Sequence, residues 1–80
     1  MSHSVRILVT GRKAIRGNWE PHDEFYRLIV ANFTNTIFDF CNVEQGKECY
    51  TVTVDSPAEI TQFFLTANVS DELIIEVKDL

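Results

Sequence analysis

Both prolines of the chain stand at the head of a helical pattern, and runs of period-two alternation flank each pattern. Proline suits the first helical turn because its missing N–H would be unsatisfied there in any case. After Pro21, Asp23 and Glu24 fall in the first turn, where the helix dipole favours acids. Phe25, Leu28, Ile29, Asn32 and Phe33 then share one face, with Tyr26 and Val30 widening it, which predicts a helix over Pro21–Phe33. Around Pro57, Ser56 and Glu59 have the spacing of a capping box. Ile60, Phe63, Phe64 and Ala67 follow at i, i+3, i+4, i+7, and Asn68 suits the left-handed conformation that ends many helices.

The remaining segments read as strands. Val5, Ile7 and Val9 alternate with Arg6, Leu8 and Thr10, and Leu73, Ile75 and Val77 alternate with Ile74, Glu76 and Lys78. Thr36–Val43 and Glu48–Val54 surround Glu44-Gln45-Gly46-Lys47, the pattern of a hairpin in which Gly46 supplies a positive φ. The element order is β-α-β-β-α-β within one domain spanning residues 1–80. The expected class is α+β: an open-faced sandwich with a four-stranded antiparallel sheet and two helices on one face. The uncovered face carries Leu8, Ile74 and part of the second strand, so a second copy of the chain is one expected occupant.

The net charge of −5 conceals an asymmetry. Arg6, Arg12, Lys13 and Arg16 give the first sixteen residues +4, and the rest of the chain carries −9. The acidic total argues against non-specific nucleic-acid binding, which works by neutralising phosphates. No segment has the length or the apolar character of a membrane span or a signal-peptide core. Cys41 and Cys49 are too few for a disulfide scaffold, although they flank the hairpin turn closely enough for a cross-strand bridge. The expectation is a cytoplasmic chain with reduced thiols.

Chemistry-bearing motifs are scarce. The cysteines lack the Cys-x-x-Cys spacing of a zinc site, and there is neither a Gly-x-Ser-x-Gly nor a phosphate-binding glycine loop. The expectation is therefore a non-enzyme with no cofactor, no metal and no catalytic residues. The best candidate is Gly11-Arg12-Lys13-Ala14-Ile15-Arg16-Gly17, between a strand end and a helix N-terminus. Arg12, Lys13 and Arg16 form a cationic clamp for a small anionic ligand or an acidic protein partner. Trp19 reads either as the aromatic anchor of that site or as a cap on the core. The same seven residues also read as a solvated loop.

Further along, Phe33-Thr34-Asn35-Thr36-Ile37 leaves the first helix, Gly46-Lys47 turns the hairpin, Ser56 starts the second helix, and Ser70-Asp71-Glu72-Leu73-Ile74-Ile75 enters the last strand. Over residues 33–77 this succession resembles the histidine-containing phosphocarrier (HPr) family. The resemblance implies a sheet with its second and fourth strands central, whereas a ferredoxin-like sheet has its first and third central. Element order alone does not separate the two. The family's third helix has no counterpart in the 80 residues, and its apolar-His-x-Arg-Pro motif is replaced by Ile15-Arg16-Gly17-Asn18-Trp19-Glu20-Pro21-His22. The resemblance implies phosphorylation at His22, after the proline, or at Ser56, otherwise a helix cap. Glu20, Asp23 and Glu24 stand beside His22 and would repel an incoming phosphoryl group.

Overall fold

The structure, a computed structural model, describes residues 2–11, 19–42 and 46–79. Strand β1 spans His3–Gly11, helix α1 Glu20–Asn32, β2 Thr36–Asn42, β3 Lys47–Val54, helix α2 Ala58–Thr66 and β4 Leu73–Asp79. The four strands form one antiparallel sheet in the order β2-β3-β1-β4. The α+β sandwich expected from the element order is therefore the one observed. The central strands are the first and third, the ferredoxin-like alternative. The phosphocarrier arrangement implied by the resemblance, with its second and fourth strands central, is not adopted.

The reason lies in the apolar content of β1 and β3. Val5, Ile7 and Val9 of β1 are buried, as are Tyr50, Val52 and Val54 of β3. Strands that bury a whole face gain most from neighbours on both sides, at roughly 1.5–3 kcal/mol per large side chain covered. β1 accordingly pairs with both β3 and β4, with Ile7 opposite Tyr50 on one side and Val77 on the other. Phe25 and Ile29 of α1, with Ile60 and Phe63 of α2, close the core over this face.

Local details refine the expected boundaries. α1 begins at Glu20, one residue before Pro21, and Phe33 caps its end in extended conformation. Gly46 has φ +64°, as the hairpin pattern requires. Val43, Glu44 and Gln45 lie outside the described residues. The capping box is made only on one side. Glu59 Oε2 accepts from the N–H groups of Asp55 (2.8 Å) and Ser56 (3.1 Å). Ser56 Oγ, however, accepts from Ala58 (3.3 Å), and the Glu59 N–H goes to the Ser56 carbonyl instead. Asn68 does not adopt the left-handed conformation: α2 ends one residue earlier, with Ala67 extended at φ −76°, ψ 140°.

The open face is more polar than expected. By register it carries Arg6, Thr10, Asp39, Lys47, Thr51, Glu76 and Lys78 beside Leu8, Ile37 and Ile74. The β2 edge is irregular. The register shifts between Phe40 and Asn42, leaving Cys41 as an extra residue, and Asp39 Oδ1 takes the Phe40 N–H at 2.8 Å. A bulge and a charge of this kind blunt an edge strand against further pairing.

Candidate functional site

Three parts of the chain converge at one end of the sheet: the end of β1 at Gly11, the start of α1 and the hairpin turn at Gly46. The first turn of α1 aims His22 inward. His22, Phe25 and Ile29 fall at i, i+3 and i+7, and all three are buried, with His22 only 6% exposed. Its Nε2 lies 2.8 Å from the Gly46 carbonyl oxygen. A carbonyl only accepts, so Nε2 carries the proton and donates it. The Gly46 carbonyl also accepts the Gly11 N–H, at 3.4 Å. A side chain on Gly46 would not fit freely, since a Cβ there would stand 3.3 Å from His22 Nε2.

Trp19 covers the imidazole. Its ring lies 4.8 Å from that of His22, tilted by 57°, and meets Phe40 edge-on at 6.3 Å. The chain of rings continues through Phe38 to Tyr26, with centroids 5.0 and 5.2 Å apart. Trp19 is thus a half-buried lid on His22 that keeps part of its ring at the surface.

Below this layer lies a second buried polar group. Period two places Glu48 on the same face as Tyr50, Val52 and Val54, and it is only 5% exposed. The Tyr50 hydroxyl donates to Glu48 Oε1 at 3.2 Å. Burial pushes the Glu48 carboxyl above its ordinary range, while His22 and the Tyr50 hydrogen bond pull it partly back. Tyr50 is held far above the usual phenol range by burial and by the charge of Glu48. Neither signal was absent from the sequence. His22 shares the helical spacing of Phe25 and Ile29, and Glu48 shares the strand alternation of Tyr50 and Val52.

Chemically, the geometry does not present His22 as a nucleophile. Phosphoryl transfer to His22 needs a ring nitrogen with a free, approachable lone pair. Nε2 is engaged with Gly46, and Nδ1 is buried with no hydrogen-bond partner among the described residues. Ser56 belongs to a different place. β3 carries the chain from Gly46 to Val54, roughly 25 Å at about 3.3 Å per residue, and leaves Ser56 exposed at the far end of the sheet. Arg12, Lys13 and Arg16 lie outside the described residues. The residues that flank their segment, Gly11 and Trp19, are both brought to the His22–Gly46 contact.

Among the described residues, no three His, Cys, Asp or Glu side chains are grouped so as to hold a metal ion. No described helix is long and apolar enough to cross a membrane. In comparisons with known proteins, no family model matches the chain, and no curated protein matches it.

Proposed function

We propose that this chain is a non-enzymatic binding module whose basic segment, Gly11 to Gly17, engages a carboxylate or phosphate group of a protein partner or small ligand. Arg12, Lys13 and Arg16 supply the charge, and Trp19 supplies the apolar anchor. One observation carries this reading: the described residues on either side of positions 12–18, Gly11 and Trp19, meet at the His22–Gly46 contact. Gly11 donates directly to Gly46, and Trp19 packs on the His22 ring whose Nε2 donates to the same oxygen. A recognition segment with fixed ends loses less freedom on binding, and arginine forks add two-point contacts to carboxylates and phosphates. The unpaired thiols of Cys41 and Cys49 fit a reducing compartment, the cytoplasm.

The test replaces Arg12, Lys13 and Arg16 together with Gln and titrates both forms with inorganic phosphate and with a polyglutamate peptide, following Trp19 fluorescence. The wild-type chain is expected to bind at least one probe, and the triple variant to bind it about tenfold or more weakly at unchanged thermal stability. Absence of binding by the wild type, or equal affinity of the two forms, overturns the reading. A second reading follows from the strand order, which leaves one sheet face without helices and Ile37 and Ile74 exposed there: a homodimer through that face. Light scattering that finds only a monomer removes it.

A further inference from the structure

We propose that Cys41 and Cys49 form a thiol pair that reacts with small-molecule disulfides such as oxidised glutathione, Cys41 being attacked first and Cys49 resolving the adduct into an internal bridge. The two residues sit on adjacent antiparallel strands, where the direct partner of Cys49 is Asp39. In a regular ladder Cys41 would be a diagonal neighbour of Cys49, with backbones roughly 7–8 Å apart and too distant for a bridge. The bulge changes this. Phe40 pairs with Glu48 and Asn42 with Lys47, so Cys41 is the extra residue between them and is carried back towards Cys49.

The thiols are neighbours in consequence. Burial and the adjoining Cys41 thiol both raise Cys49, and the Arg6 guanidinium counters only part of that. The division of labour follows from exposure: Cys41 is exposed and Cys49 half-buried. Cys41 also lines a groove of about 280 Å³ on the open face, together with Leu8, Lys47, Ile74 and Glu76. That groove has room for part of a tripeptide thiol, and the Lys47 ammonium in it complements a carboxylate.

The chemistry balances as two exchanges. The Cys41 thiolate attacks one sulfur of oxidised glutathione, forming a protein–glutathione disulfide and releasing one glutathione thiolate, which takes up the proton lost by Cys41. The Cys49 thiolate then attacks the Cys41 sulfur, forming the protein bridge and releasing the second glutathione. Two protein thiols are oxidised and one glutathione disulfide is reduced. Nothing here depends on the basic segment, so this proposal stands or falls apart from the binding reading.

Intact-mass spectrometry after incubation with oxidised glutathione is the test. Wild-type chain is expected to lose two hydrogens and retain no glutathione, with the bridge located by non-reducing proteolysis. Cys49→Ser is expected to stop with one glutathione on Cys41. Cys41→Ser is expected to react about tenfold or more slowly, since a half-buried, raised thiol is a poor nucleophile. Concentrated urea should abolish the difference between the two single variants. A wild-type chain that keeps bound glutathione, forms bridges only between molecules, or reacts equally fast at either cysteine overturns the proposal.

Discussion

Replacing Gly46 with alanine places two costs on one position. Its φ of +64° is open to glycine, but an L-residue with a Cβ pays about 1–2 kcal/mol to hold it. The added methyl would also meet His22 Nε2 at 3.3 Å, His22 Cε1 at 3.4 Å and the Gly11 nitrogen at 3.7 Å. The imidazole has little room to withdraw, because Trp19 packs on it and its Nε2 is bonded to the Gly46 carbonyl. A shift of a few tenths of an ångström must therefore lengthen that bond. We expect a loss of about 2 kcal/mol, which in a domain of this size lowers Tm by roughly 8–16 °C. Gly46→Asn separates the two costs. Asparagine tolerates the left-handed region, so it should recover about 1 kcal/mol while keeping the Cβ contact. Urea unfolding followed by Trp19 fluorescence, with the slope checked for constancy, measures all three chains. The reasoning is refuted if alanine stays within about 0.5 kcal/mol of wild type, or if asparagine is as damaging as alanine.

Two further perturbations probe the same half of the molecule. Because burial raises the Glu48 carboxyl above the ordinary 4.5, the folded chain holds a proton that the unfolded chain has already released. Stability must then fall as pH rises from about 4.5 through the folded-state value, and stay lower above it. Glu48→Gln removes that slope and leaves an oxygen to accept from Tyr50. Its stability should exceed wild type at pH 7, with the gap closing below 4.5, as read by urea midpoints across pH. On the outer strand, Asp39→Ala uncovers the Phe40 N–H and removes a charge from the edge. Folding stability should stay within about 0.5 kcal/mol, while sedimentation at rising concentration should show larger assemblies than wild type forms at the same concentration.

What was legible in the sequence was whatever depends on near neighbours in the chain. The period-two runs and the helical stripes after Pro21 and Pro57 are local signals, and all six elements appear close to where those signals put them. The sheet order is not local. It depends on which strand gains most from two neighbours, and the weak succession of short motifs over residues 33–77 pointed to the other arrangement. His22 shows the same limit at the site. Judged by Glu20, Asp23 and Glu24, it reads as an acid-crowded side chain. The rotation of α1 instead directs it at a turn 24 residues away. Glu48 reads as a strand residue, and only its alternation with Tyr50 points it inward. The spacing of Ser56 and Glu59 signals a cap, but which N–H groups they satisfy depends on backbone detail at Pro57.

The shared Gly46 carbonyl also bears on how such a domain can diversify. With Gly11 and Trp19 fastened to the sheet end, the seven residues at 12–18 join two fixed posts, like a cassette in a socket. Loop-closure cost rises only slowly, about 0.6 kcal/mol for each doubling of length. A change in the length of the connection between the posts therefore costs little in closure entropy, whereas β1, α1 and β3 are held by a packed core. On the binding reading proposed above, selectivity could change with the length of that connection while the two posts stay in place.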